Sequence, residues 1–151
     1  MNNFSIESVL PHAEPMILLD KLLSFEEESG VCSHEITENS LLYSENLQGV
    51  PSYVGIEYMA QSIAAYANAN EIKQGKKVEI GFLVSSRKYK CDRPVFIKGT
   101  KLIIKVERLY RDESGLSAFD CAISENDNEI ATARINVFQP ENPAKFLAEQ
   151  L

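Results

Sequence analysis

The sequence contains little that could bind a metal ion, build a disulfide framework or cross a membrane. Its three cysteines lie far apart, and neither a Cys-x-x-Cys nor a His-x-x-x-His spacing occurs. No apolar run approaches the roughly 20 residues that span a bilayer, and residues 1–8 lack the basic region and apolar core of a signal peptide. We therefore expect a cytoplasmic protein with reduced cysteines, no membrane association, no metal and no other cofactor.

An excess of positive charge is also missing, since the net charge is −7, which argues against nucleic acid as the main partner. The charge is nevertheless unevenly distributed. Twelve of the fifteen Lys and Arg residues lie within residues 73–111, where only three acidic residues oppose them. This basic band fits either solvated strand faces or a surface that steers an acidic partner.

One long helix followed by strand patterns dominates the chain. Ser52 can cap a helix that ends before Gly75, and apolar groups on more than one side predict that other structure wraps it. The helix is predicted for residues 52–73, and strand patterns with turn residues precede and follow it in the sequence. The strands are predicted for residues 16–25, 31–36, 80–91, 100–110, 116–125 and 130–138, with a helical turn within 4–9 and a loop at 39–50. This order predicts an α+β hotdog fold over a single domain, residues 1–151, with one antiparallel sheet around a central helix.

Three segments resemble the 3-hydroxyacyl-(acyl carrier protein) dehydratases. Residues 10–20 read LPHAEPMILLD, similar to the family's LPHxxPxxLxD motif, and residues 54–61 read VGIEYMAQ, similar to its central helix. Residues 82–102, with RPV at 93–95 and KGTKL at 98–102, resemble its strand pair. The sequences of the first two motifs are most similar to the branch of the family found in aryl polyene biosynthesis clusters. The resemblance implies a dehydratase of fatty acid-like or aryl polyene biosynthesis, with an acyl carrier protein as partner and a homodimer or a heterodimer with another hotdog subunit.

One part of the family's pattern is absent. The resemblance places the usual catalytic histidine in a Gly-His-Phe-Pro loop, fourteen residues before the helix carboxylate. Counting back from Glu57 gives Tyr43, and the loop of residues 39–50 contains no histidine. Half of the family's catalytic pair therefore cannot be transferred to this chain.

Dehydration of a 3-hydroxyacyl thioester needs a base for the α proton, an acid for the leaving hydroxyl and donors for the thioester oxygen. The resemblance assigns the carboxylate to Glu57, which we expect to be buried with a raised pKa. We expect unpaired amides at the helix start, near Ser52, Tyr53 and Val54, to bind the substrate carbonyl. A purely structural carboxylate at the helix start is the alternative for Glu57.

Only two histidines could supply an imidazole. We interpret His34, in a strand pattern beside Glu35, as a surface residue. His12 lies between Pro11 and Pro15, which hold their segment extended, so it is the candidate second catalytic group. It could equally brace the N-terminal segment.

Carrier docking is predicted within the basic band, at Arg87, Lys88, Lys90 and Arg93. Three functions stay open. They are a dehydratase, a non-catalytic hotdog partner that binds the acyl carrier, and an acyl thioesterase, which the same fold can support. Covalent catalysis by Cys32, Cys91 or Cys121 is not expected, because nothing in the sequence would activate them.

Overall fold

The computed structural model describes residues 4–11, 16–76 and 82–138, with the backbone alone for residues 82–84 and 87. Two helices and a 3-10 turn lie in these residues: α1 (Ile6–Val9), the turn Ser52–Val54, and α2 (Gly55–Lys73). The strands in the same residues are β1 (Lys21–Phe25), β2 (Ser29–Glu35), β3 (Gly49–Pro51), β4 (Phe82–Cys91), β5 (Val95–Ile97), β6 (Lys101–Arg111), β7 (Leu116–Glu125) and β8 (Asn128–Phe138).

Six strands form one antiparallel sheet in the order β1-β2-β6-β7-β8-β4. Alternation along β6 buries Leu102, Ile104 and Val106 on one face, as the period of two predicts. Strands β3 and β5 pair separately as a short antiparallel ribbon.

Helix α2 packs on the buried face of the sheet, chiefly against β2, β6, β1 and β7. Its buried residues include Tyr58, Met59 and Tyr66, while Ala65 and Ala69 allow close approach. At Gly30 of β2 a Cβ atom would lie 2.5 Å from the Cβ of Tyr66, so this glycine lets strand and helix touch. An antiparallel sheet that curves around one long helix is the predicted hotdog arrangement.

Several predicted boundaries differ from the structure. Residues 16–20 do not join β1, because the amide of Leu18 donates to the side chain of Gln61 rather than to a neighbouring strand. The ribbon strands β3 and β5 were not predicted, since three residues are too few to display a period of two.

The helix start also differs from the prediction. A 3-10 turn precedes α2, so Val54 occupies the N-cap position and makes no side-chain capping bond. Ser52 therefore does not cap the helix, although the whole helical region spans residues 52–73 as predicted.

Candidate active site

Glu57 is the third residue of α2, in the first turn of the helix. Its side chain is exposed in the single chain, which corrects the expectation that Glu57 is buried. Glu57 lines a cavity of about 400 Å³ that follows one side of α2, together with Pro11, Gln61, Ala64 and Asn68. These helix positions recur at three- and four-residue intervals, so they share the face that carries the carboxylate.

The start of the helix is fixed by a tyrosine from β4. The Tyr89 hydroxyl donates a hydrogen bond of 2.5 Å to the carbonyl of Ser52, and burial raises the pKa of Tyr89 well above its usual value. A Cβ atom on Gly55 would lie 2.2 Å from this hydroxyl oxygen, so any larger residue there would require Tyr89 to shift.

The substrate-binding prediction is wrong in part. The amide of Ser52 donates to the carbonyl of Pro94 at 2.9 Å, so it is not free for a substrate. The Tyr53 side chain is exposed and that of Val54 is buried. Carbonyl binding by the amides of Tyr53 and Val54 stays a prediction.

Two buried amide side chains of α2 hold the N-terminal segment against the Glu57 face. Asn68 donates to the carbonyl of Val9 at 2.9 Å. Gln61 accepts from the amide of Leu18 at 2.9 Å and donates to the carbonyl of Met16 at 2.7 Å. These bonds tie down the described chain on both sides of residues 12–15. His12 itself lies outside the described residues, so its proximity to Glu57 stays a prediction.

The surface interpretation of His34 is wrong. His34 is buried, with 7% of its area exposed, and its ring nitrogens contact Asp20 and Ser40. The reason is the register of β2, which turns His34 towards α2, where its ring lies 5.2 Å from that of Tyr58. His34 lies in a cavity that shares no lining residue with the Glu57 cavity.

The four predicted docking residues differ in exposure and in ion pairing. Lys88 and Lys90 are exposed, whereas Arg93 is held by Asp92 at 2.7 Å and by Glu125 at 2.8 Å. The side chain of Arg87 lies outside the described residues. Lys88 also lines a separate concavity rather than the cavity of Glu57.

Other members of the basic band do line the Glu57 cavity. Lys76, Arg108 and Arg111 are among its lining residues. Sequence reasoning missed them because it searched beside the family-like strand pair. The signal that could have found them is the spacing of basic residues at the end of β6, where Arg108 and Arg111 line the same cavity as Glu71 near the end of α2.

Two of the three cysteines are buried in the described structure. Burial raises the pKa of Cys32 to about 11 and that of Cys121 to about 12, so both thiols stay protonated. No group of three His, Cys, Asp or Glu residues converges as metal ligands among the residues the structure describes. In those residues no helix combines the length and apolarity needed to cross a membrane.

Comparison with known proteins gives the same fold and a family. A family model described as ApeP-like, ApeP dehydratase, matches residues 4–148. The 3-hydroxyacyl-[acyl-carrier-protein] dehydratase FabZ of Latilactobacillus sakei is 30% identical over 137 residues, covering 87% of this chain and 92% of that protein. The FabZ protein of Vibrio atlanticus is 27% identical over 124 residues, covering 80% and 81%.

A solved structure, the dehydratase heterocomplex ApeI:P from Xenorhabdus doucetiae, superposes with a TM-score of 0.88 at 24% identity, covering 97% of both chains. Its likeness confirms the hotdog fold. The family model and the FabZ relatives, together with the fold, place the chain in the class of hotdog dehydratases. Within that class, it belongs to the ApeP-like dehydratase family.

Proposed function

We propose that this protein is a subunit of a 3-hydroxyacyl-(acyl carrier protein) dehydratase acting in fatty acid-like or aryl polyene biosynthesis. The observation that carries the proposal is the position of Glu57, in the first turn of the central helix and at the wall of a cavity that follows that helix. The family to which the chain belongs supports the reaction class.

The reaction removes a proton from the α carbon and hydroxide from the β carbon of the thioester, so that water leaves and a double bond forms. Glu57 would exchange protons with the substrate, and a second group would serve as its acid or base partner. We keep His12 as that partner, because the bonds made by Gln61 and Asn68 hold both flanks of its segment on the Glu57 side of α2.

The exposure of Glu57 in the single chain favours a subunit partner. Acid–base catalysis is more effective when water is excluded, and a second hotdog subunit would cover this face. Tyr53, at the same helix start, exposes 67% of its area, which suits contact with another protein. The single-domain extent of residues 1–151 also stays a proposal.

A carboxylate-to-amide exchange tests the role of Glu57. Glu57→Gln keeps the shape and should lower turnover of a 3-hydroxyacyl thioester by about 10²–10⁴-fold. Glu71→Gln is the matched control, since Glu71 lines the same cavity further along α2. Equal loss in both variants, or no loss in Glu57→Gln, would remove the catalytic assignment.

A non-catalytic partner subunit is the second candidate. It is favoured by Tyr43, which stands where the family's loop histidine is expected and has a buried hydroxyl without a hydrogen-bond partner in the described structure. The solved ApeI:P structure is itself a heterocomplex. The purified chain should be assayed alone and with a second hotdog subunit, using 3-hydroxyacyl, enoyl and saturated thioesters. Activity only in the mixture, insensitive to Glu57→Gln, would establish the partner function. Hydrolysis of the saturated thioester that Glu57→Gln abolishes would instead indicate a thioesterase at the Glu57 cavity.

A further inference from the structure

Asp20, His34 and Ser40 form a continuous hydrogen-bonded chain outside the Glu57 cavity. The Asp20 Oδ1 atom lies 3.1 Å from Nδ1 of His34, and Nε2 of His34 lies 3.1 Å from Oγ of Ser40. The second carboxylate oxygen of Asp20 accepts the amide of Glu35 at 2.7 Å, which fixes the carboxylate. Three elements contribute: the segment before β1, strand β2 and the loop that follows it.

The direction of the hydrogen bonds follows from the charge on Asp20. Burial opposes ionisation, but hydrogen bonds from His34 and from the amide of Glu35 together hold the pKa of Asp20 below its usual value. An ionised carboxylate only accepts, so Nδ1 of His34 donates to Asp20, and in the neutral imidazole Nε2 then offers a lone pair. With the imidazole neutral, the hydroxyl of Ser40 donates to Nε2, which lies 3.1 Å away, while its oxygen accepts the amide of Thr37 at 2.9 Å.

The Ser40 side chain opens into a cavity of about 480 Å³ that His34, Asp20 and Tyr58 also line. The hydroxyl of Tyr58 is buried and has no hydrogen-bond partner in the described structure. Burial, followed by the charge of Asp20, raises the pKa of Tyr58 far above its usual value, so this hydroxyl stays a donor. Apolar groups complete the wall, among them Ile17, Leu18, Leu19 and Leu41.

A polarised serine, an oriented imidazole, an unused donor and an apolar wall are the parts that acyl transfer requires. We propose that Ser40 is the nucleophile of a second site that hydrolyses small acyl esters or thioesters, with His34 as its base and Tyr58 as the donor to the oxyanion.

In the first step Oγ of Ser40 bonds to the acyl carbon, and its proton passes to Nε2 of His34. The electron pair of the carbonyl moves to oxygen, where the Tyr58 hydroxyl donates to it. The carbon–oxygen or carbon–sulfur bond then breaks, and the leaving alkoxide or thiolate takes the proton from His34. Water repeats the sequence on the acyl-serine, which releases the acid and restores Ser40.

Covalent labelling tests this site. The full-length protein is incubated with a small alkyl fluorophosphonate, and the modified residue is located by peptide mass mapping. Wild type should be labelled at Ser40, and Ser40→Ala should remove the label. Ser44→Ala is the matched control, because Ser44 lies in the same loop and its hydroxyl accepts the amide of Leu47 instead. Failure to label Ser40 in folded wild-type protein would overturn the proposal.

The roles of His34 and Tyr58 are tested separately. His34→Gln should reduce the labelling rate by at least about 10²-fold, and Tyr58→Phe should slow hydrolysis of a p-nitrophenyl acyl ester by about 10²-fold. Tyr58→Phe removes only an unpartnered hydroxyl, so it keeps the test decisive if the other variants fold poorly. Labelling or hydrolysis at wild-type rates in folded His34→Gln or Tyr58→Phe protein would refute the mechanism. Neither assay uses dehydration or the carrier, so the outcome is independent of the proposed function.

Discussion

A single glycine sets how closely Tyr89 can approach the start of α2. Replacing Gly55 by alanine would place a methyl group 2.2 Å from the Tyr89 hydroxyl oxygen and 3.1 Å from Cδ1 of Ile123. We expect Gly55→Ala to lower the free energy of unfolding by about 1–3 kcal/mol through overpacking. Urea unfolding of Gly55→Ala, Tyr89→Phe and the double variant measures it. Because Tyr89→Phe removes the clashing atom, the double variant should be more stable than additivity allows; simple additivity would contradict the contact.

Asp20 links the stability of the N-terminal segment to pH. Its folded-state pKa lies below the ordinary value of 3.8 despite partial burial, because of hydrogen bonds from His34 and the Glu35 amide. The stabilisation is therefore present above about pH 4 and is lost as the pH falls through the folded pKa. We expect wild type to unfold at a higher urea concentration than Asp20→Asn at about pH 6. This difference in urea midpoint should shrink as the pH is lowered to about 3. A difference that stays constant over that range would show that the carboxylate charge contributes nothing. The effect is small, because the Asp20 side chain is 47% exposed.

At the scale of one helix, α2 serves as the anchor for the chain that precedes β1. Gln61→Leu would leave the carbonyl of Met16 and the amide of Leu18 without the bonds that Gln61 makes. We expect the free energy of unfolding to fall by about 1–3 kcal/mol for each buried backbone group left unpaired. Hydrogen exchange should accelerate at the amide of Leu18.

Asn70→Ala is the matched control, since Asn70 lies on the same helix and donates to the exposed carbonyl of Glu26. It should leave exchange at Leu18 unchanged. Equal acceleration in both variants would mean that the helix as a whole, rather than the Gln61 amide, orders the segment. If His12 acts with Glu57, Gln61→Leu should also lower turnover more than Asn70→Ala does.

The elements most predictable from sequence are those whose pattern is long. The eleven residues of β6 repeat the period of two several times, and the nineteen residues of α2 form a long run between end signals, so both are predicted close to their observed bounds. Strands β3 and β5 have three residues each, and only their mutual pairing defines them. The apolar content of residues 16–20 predicts a strand, but the local pattern does not reveal the hydrogen bond from the amide of Leu18 to Gln61, 43 residues away.

In the candidate site, too, features set by a local motif are predictable and features set by contacts distant in sequence are not. Glu57 was found because a motif carries it, and the structure places it at the cavity. The amide of Ser52 is predicted to be free but is not, because its acceptor, the carbonyl of Pro94, lies 42 residues further along the chain and local sequence does not show the contact. The burial of His34 depends on the register of β2 against β6, where His34 pairs with Leu102. A one-residue shift of that register would have left His34 on the outer face, as first interpreted.

At the scale of the whole molecule, the basic band of residues 73–111 reaches two separate surfaces. Lys88 lies in a concavity formed largely by β6, β7 and β8 residues, with Lys105 and Arg134. Lys76, Arg108 and Arg111 lie at the Glu57 cavity, where Arg108 is 3.8 Å from Glu28 and Lys76 is 3.7 Å from Glu71. If Glu57 acts on a carrier-bound thioester as proposed, we expect the carrier to bind near the second surface, where the acyl group would enter the Glu57 cavity.

Charge reversal at each surface in turn tests which of the two binds the carrier. We expect Lys76→Glu with Arg111→Glu to lower kcat/KM for carrier-bound substrate by about 10–100-fold, and to spare a small thioester that has no carrier. Lys88→Glu with Lys90→Glu makes the same change in net charge at the sequence-predicted docking residues. If long-range attraction alone steers the carrier, the two double variants should slow turnover equally. Each changes the net charge of the protein by −4, which acts similarly on an acidic partner. If the carrier docks at the cavity rim, only the first pair gives a large effect, and that effect persists at moderate salt because close contacts are screened less than distant ones. A larger loss from the second pair would instead place docking at Lys88 and Lys90. Equal loss on the small thioester would show that the substitutions damage the cavity rather than the encounter.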